Sequence, residues 1–321
     1  MYRVKDLFIC AFDTWLKRDF RDFSFVEFGS LEAFDELSNL PTGDLQGINV
    51  LREDKSHPGS ILYSQRTAIL RYTPGRPMTV IAGSVNSLGL VNGEASMARF
   101  QSISDFVFYK PERIAIADFT NNCIRDLDLE SNSVSNMAGI CKMGSFTSHD
   151  FMYPRSLVYL RHQSYFIVSV HKSATSQTQL VTIDLPSGVV SSFNVVLRGM
   201  YSLLLDESET VLYVSYWNGL AKVDLTSHQP AGLNDAISFN VMNLRPIRDM
   251  VWLVDGEIIA AVTDQRVAVI DLQFKETYFL CSGEYPFSWG GGGGGRGSDE
   301  KKKGREGREG GEEKKRSGRR K

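Results

Sequence analysis

The stretch from Thr79 to Cys141 constrains this chain most, because one unit ends in it, a glycine-punctuated connector follows, and a second unit runs from start to finish. It reads T-V-I-A-G, then G-L-V-N-G-E-A-S-M-A-R-F, then S-I-S-D-F-V-F-Y, R-I-A-I-A-D-F-T-N-N-C-I-R-D-L-D-L and S-V-S-N-M-A-G. Runs rich in β-branched and aromatic residues, separated by polar turns, predict a four-stranded antiparallel meander. Such a unit cannot bury both of its faces alone, so it predicts neighbours of the same kind.

Those neighbours are present. L-Q-G-I-N-V-L, S-I-L-Y-S-Q, T-A-I-L-R-Y and P-M-T-V-I-A-G form a first set; three further sets begin at R-S-L-V-Y-L-R, Y-S-L-L-L-D-E and I-R-D-M-V-W-L. The third strand of four sets ends on a shared mark, D-L at Asp128, Asp184, Asp224 and Asp271, at spacings of 56, 40 and 47 residues. Four-stranded propeller blades repeat every ~40–50 residues. A pair of β-sandwiches leaves the recurring mark unexplained. The expectation is an all-β propeller with about five recognisable four-stranded blades, the ring open or closed by residues near the N-terminus.

The second unit resembles the NHL repeat, over the connector, the strand end I-A-I-A-D, the run N-N-C-I-R-D-L-D-L and the closing N-M-A-G. Asn92-Gly93 supplies the positive φ of a crossover turn, and Ala98 and Phe100 suit packing between blades, small beside large. Asp118 is placed to cap the turn between strands two and three, where Asn121 and Asn122 tolerate left-handed backbone. Where the resemblance implies Asp at the end of the second strand, Asp264 fits, but Gln65, His171 and Trp217 stand in the other blades. Propellers of this kind usually close with six blades, so five imply a truncated ring.

Three segments follow. Residues 1–40 carry a helix, since Leu7, Phe8, Ala11, Phe12, Trp15 and Leu16 fall at helical spacing, and a strand from Phe23 to Phe28. Residues 41–288 form the propeller. Residues 289–321 are rich in Gly, Lys, Arg and Glu, with too little apolar surface to repay ordering, and read as a disordered tail. Within Gly290 to Lys321 there are 12 Lys/Arg against 6 Asp/Glu; taking these from whole-chain totals of 36 and 38 leaves an acidic body of 24 against 32. An acidic body disfavours a groove that tracks phosphates, whereas the basic tail suits a nucleic-acid tether or nuclear address. No run approaches the ~18 apolar residues of a membrane span, and L-F-I-C-A-F is too short for a signal-peptide core.

In a meander propeller the loops between strands two and three share one face with the crossovers between blades. That face should carry Gln65, Arg66, Asp118, Asn122, His149, His171, Trp217, Asp264 and Gln265, whereas His57, His162 and His228 fall on the opposite one. Arg66, Asp118, Asn122, His171, Trp217 and Asp264 are therefore the candidate contact residues. Exposed aromatic and guanidinium groups anchor interfaces, which favours Trp217 and Arg66; burial between blades is the competing expectation for Trp217. His149, Asp150, His171 and Asp264 lack the short ligand spacing of a metal site, and no nucleophile elbow, P-loop or Cys-x-x-Cys appears. The expected function is a non-catalytic binding or scaffold propeller with a protein partner and no cofactor. The alternatives are a metal-dependent lyase or hydrolase and an RNA-binding propeller.

Cys123 and Cys141 lie on strands three and four of the second blade. A hairpin centred on Asn132 opposes them directly, within reach of a disulfide. Their placement also resembles a cysteine-bearing variant of the repeat found in extracellular animal proteins, which implies an extracellular domain and conflicts with the lack of a signal sequence.

Overall fold

A computed structural model describes residues 48–142, 151–171, 177–185, 187–217, 219–226, 247–263, 267–273 and 276–281. The expected N-terminal helix, the Phe23 to Phe28 strand and the C-terminal tail lie outside these residues. Among the described residues no helix is long and apolar enough to cross a membrane.

Among the described residues, twenty strands form five antiparallel sheets. The first holds β1 (Ile48–Glu53), β2 (Ile61–Gln65), β3 (Ala68–Tyr72) and β4 (Thr79–Gly83) in chain order. The second holds β6 (Ile103–Lys110), β7 (Arg113–Asp118), β8 (Cys123–Asp128) and β9 (Ser133–Gly139), with β5 (Gly93–Glu94) added outside β9. The third runs β10 (Met152–Leu160), β11 (Tyr165–His171), β12 (Gln177–Asp184) and β13 (Val190–Arg198). The fourth has three described strands, β14 (Met200–Leu205), β15 (Val211–Tyr216) and β16 (Gly219–Asp224). Its expected fourth strand, A-I-S-F-N-V, falls outside the described residues. The fifth is β17 (Ile247–Val254), β18 (Ile258–Thr263), β19 (Val267–Asp271) and β20 (Glu276–Cys281).

The first strands β1, β6, β10, β14 and β17 touch one another in that order, so they are innermost and the sheets radiate as blades. The chain is a five-bladed β-propeller. Its apolar core is a set of layers between blades. Along β7, Ile114 and Ile116 face the first blade and pack with Leu62, Ile69 and Phe100, whereas Ala115 and Ala117 face the third blade and admit Leu157 and Phe166. Large residues on one side and small on the other let each layer interdigitate. The second strands are covered on both faces, which is why I-A-I-A, F-I-V-S-V and V-L-Y-V read as continuous apolar runs. The outer strand β9 instead mixes buried Val134 and Ala138 with exposed Ser135 and Asn136.

Two features of the repeat now have a cause. The recurrent Asp of the D-L mark closes the turn between strands three and four: Asp128 Oδ1 accepts the amides of Glu130 and Ser131, and Asp224 Oδ1 accepts the amide of Thr226. The A-G that closes β4 and β9 lies against the turn between strands two and three. Gly83 (φ 85°) and Gly139 (φ 94°) have positive φ, and a Cβ there would sit 2.4 Å from Thr67 O and 2.7 Å from Asn122 O. Phe100 and Phe151, from successive crossovers, press on the same two glycines.

Candidate interaction face and the central axis

Each first strand runs from the face of the crossovers to the opposite face. Residues nearer its start ring the mouth of the axis, and residues deeper along it form a belt beneath. The belt is polar. Arg52 Nη2 donates to Asp105 Oδ1 at 2.9 Å, and Asp105 Oδ2 accepts Ser156 Oγ at 2.8 Å and the Leu157 amide at 3.1 Å. Ser156 Oγ then accepts the Leu203 amide at 3.2 Å, and Ser202 Oγ donates to Asp249 Oδ1 at 2.9 Å. Burial raises the Asp105 carboxyl above its ordinary value; Arg52 pulls it down, and the charge of Asp249 adds to the rise. The belt thus joins all five blades at the axis. Two of its positions, Ser156 and Ser202, are supported from the second strand, where Ser169 and Ser215 accept their amides through their hydroxyls, and in the first blade Ser64 does the same for Val50, two residues before Arg52.

At the mouth, one residue earlier on three successive first strands, stand Arg155, Tyr201 and Arg248. The Tyr201 ring lies 4.6 Å from the Arg155 guanidinium carbon and 4.5 Å from that of Arg248. Further out on the same face, the Arg198 guanidinium stands 5.8 Å from the Trp217 ring, and Trp217 is 48% exposed. A second aromatic group forms around His171, with Tyr153 at 5.7 Å and Phe119 at 6.4 Å between centroids. Burial first, and then the Arg155 charge, lower the His171 pKa from its ordinary value.

The sequence-derived contact residues divide. Arg66 is exposed at the turn between β2 and β3, with φ 54°. Trp217 is on the surface, against the expectation of burial between blades, because the turn after β15 carries it past the edge of the sheet. Gln65 and His171 are half-buried at strand ends. Asp118 and Asn122 are fully buried, which corrects their placement on a contact surface. Asp118 Oδ1 accepts the amides of Gln101 and Ser102, while its Oδ2 accepts Asn121 Nδ2 at 2.7 Å and Arg125 Nη1 at 3.0 Å. Asn122 Oδ1 accepts the Tyr153 amide and its Nδ2 donates to Lys142 O. Both side chains fasten a crossover to a turn. His149, Asp264 and Gln265 lie outside the described residues.

The cysteine register also differs from expectation. The hairpin is centred between Glu130 and Ser131 rather than on Asn132, so Asp128 pairs with Ser133 and Arg125 with Asn136; even after a one-residue bulge between Ile124 and Arg125, Cys123 faces Gly139 and Cys141 lies beyond its direct partner. Backbone curling at Gly139 and Cys141, both with positive φ, still brings the two thiols into hydrogen-bond contact. Both are free. The Cys123 thiol donates to Cys141 and is buried, which pushes it up, while the same bond lowers Cys141.

Sequence reasoning missed the axial belt and the Arg155–Tyr201–Arg248 group. A signal for the belt was present: a small or acidic residue precedes the apolar run of the first strand in S-D-F-V-F, R-S-L-V-Y, Y-S-L-L-L and R-D-M-V-W.

No protein-family model matches the chain. No curated protein matches it. Among solved structures, it is similar to a chain in the crystal structure of a nidogen/laminin complex, at 11% identity over 70% of this chain and 74% of that one, with a TM-score of 0.50. It also aligns with the extracellular domain of a hybrid two-component system from B. thetaiotaomicron, at 12% identity and a TM-score of 0.49, over 74% of this chain and 28% of that one. At such identities the first likeness bears on the fold alone, and the fold agrees with the blade arrangement derived above.

Proposed function

We propose that this protein is a non-catalytic binding propeller of the NHL type that presents the face of its crossovers and second-to-third-strand turns to a protein partner. The resemblance of the second blade to the NHL repeat supports the family reading, and the buried roles of Asp118, Asn121 and Arg125 give that motif a structural purpose. The observation that carries the binding reading is Trp217, a large aromatic held at the surface with Arg198 beside it. Trp and Arg are the residue types that most often dominate binding energy at protein interfaces.

A metal-dependent reaction is less well supported. His171 has two aromatic rings as neighbours and a guanidinium close enough to disfavour a nearby cation. Among the described residues, no three His, Cys, Asp or Glu side chains gather in a way that holds a metal ion.

The test is a comparison of faces. The full chain, its Trp217→Ala/Arg198→Ala variant and an opposite-face variant, Glu130→Lys, are immobilised and used to capture partners from lysate. A protein retained by the parent and by Glu130→Lys, and lost with the double variant, is the expected result. Capture that is insensitive to Trp217 and Arg198 overturns the reading.

A further inference from the structure

Cys123 and Cys141 meet where the backbone is held tightly. The Asn122 carbonyl accepts the amides of Ile140 and Cys141 at 2.9 and 3.3 Å, and the Asn121 carbonyl accepts that of Lys142 at 2.9 Å. These bonds fold the start of the second-to-third crossover back over the turn that precedes Cys123, with Cys141 at φ 48°. The two side chains are therefore neighbours across the fold-back rather than across the ladder, and a hydrogen bond joins the thiols. Cys123 is fully buried and Cys141 half-buried, so a small reagent from solvent meets Cys141 first.

Two charged groups act on the pair in opposite senses. Arg125, two residues along β8, favours the thiolate at both sulfurs, and Asp118 disfavours it at both. At Cys141 the bond from Cys123 is the largest influence, ahead of burial, and the thiol is lowered; Cys123, which donates that bond, is raised. Arg125 also keeps a buried Nε–H with no hydrogen-bond partner among the described residues, so its donors are not all spent on Asp118 and the carbonyls of Val91 and Arg99. A cysteine beside a guanidinium, partly open to solvent, is the kind that reacts as the anion, and its neighbour keeps a proton for a second step.

We propose that Cys141 and Cys123 form a site of reversible oxidation by small hydroperoxides, in which Cys141 attacks, Cys123 resolves, and the new bond staples the start of the second-to-third crossover to β8. In the first step the Cys141 thiolate bonds to one peroxide oxygen as the O–O bond breaks. Its sulfur is oxidised by two electrons to a sulfenic acid, and the departing oxygen takes up the proton that Cys141 released, leaving as water or an alcohol. In the second step the Cys123 sulfur displaces hydroxide from Cys141; the S–S bond forms, the S–O bond breaks, and the Cys123 proton leaves with the hydroxide as water. An external dithiol, itself oxidised in exchange, restores both thiols. Glutathione disulfide brings a bulkier group to a half-buried sulfur and is the weaker oxidant here. The chemistry goes beyond the binding reading and does not depend on it.

The experiment uses the full chain, reduced and freed of reductant, with hydrogen peroxide as the probe, glutathione disulfide at equal concentration as its rival, and dimedone present or absent. Peptide mass spectrometry separates this pair from Cys10 and Cys281. The expected result is a Cys123–Cys141 peptide lacking two hydrogens, formed about tenfold or more faster with peroxide than with glutathione disulfide and reversed by dithiothreitol. Cys123→Ala should stop at a sulfenic acid that dimedone traps on Cys141, and in Cys141→Ser the oxidation of Cys123 should be about tenfold or more slower. Circular dichroism compares the folds; should a variant misfold, the parent decides, because excess dimedone labels the attacking sulfur there. Amide exchange at Ile140, Cys141 and Lys142 should slow in the bridged form. Dimedone on Cys123 in the native parent, bridging as fast with glutathione disulfide, native protein that keeps both thiols under peroxide, or amide exchange unchanged by the bridge would each overturn the proposal.

Discussion

Arg125 and Asp118 form an ion pair at 3.0 Å with neither side chain accessible to solvent. Arg125 also donates to the carbonyls of Val91 and Arg99 and lies 5.1 Å from the Phe100 ring, so one side chain ties β8 to the whole incoming crossover. Removing one member of a buried pair leaves the other charged and unpaired, which costs about 3–5 kcal/mol. Arg125→Leu and Asp118→Ala are each expected to lower the urea midpoint by that equivalent. A loss below about 1 kcal/mol in both would show that the second blade does not depend on the pair.

Asp105 holds Arg52 in the first blade and Ser156 and Leu157 in the third. Asp105→Ala strands a guanidinium and a buried backbone amide, each costing about 1–3 kcal/mol. Asp105→Asn keeps an acceptor for the amide and should cost less than Asp105→Ala. Thermal unfolding of the two variants tests the order, and equal stability of Asp105→Ala and the parent would show that the belt does not hold the blades.

Glu209 gives the stability an acid limb. Burial works to raise its carboxyl, but the amides and side chains of His162 and Arg161 outweigh this and bring it from 4.5 to about 2. A depressed carboxyl contributes stability that is complete above the unfolded value and is lost as pH falls from about 4.5 towards 2. Glu209→Gln should be less stable than the parent at pH 7 and should lose less on going to pH 3. Parallel stability–pH curves for the two proteins over that range would count against the assignment.

Cys141 is half-buried and its thiol is lowered by the bond from Cys123, whereas Cys123 is buried and raised. Because the thiolate is the reactive form, iodoacetamide should modify Cys141 first and reach Cys123 only on unfolding. In unalkylated protein, a mild two-electron oxidant should join the two thiols with loss of both protons, detected as a Cys123–Cys141 peptide by mass spectrometry without reductant. Modification of Cys123 ahead of Cys141 in the native protein is the contrary result.

The sequence by itself determined the blades. Alternating and continuous apolar runs and the Asp of the D-L mark act through residues a few positions apart, as in Asp128 with Glu130 and Ser131, so a linear reading finds them. The tertiary structure decided what faces outward. Asp118 and Asn122 look like loop residues in the sequence, yet the crossovers that bury them supply Gln101 and Ser102 in one case and Tyr153 in the other. The cysteine register turned on where the hairpin is centred, between Glu130 and Ser131 and not on Asn132, and the uniformly polar run E-S-N-S does not mark that point. The belt couples residues one whole blade apart, 53 positions from Arg52 to Asp105, 51 from Asp105 to Ser156 and 47 from Ser202 to Asp249. Only curling the sheets around an axis brings those residues within hydrogen-bond reach, and the same curvature gathers Arg155, Tyr201 and Arg248 at one mouth.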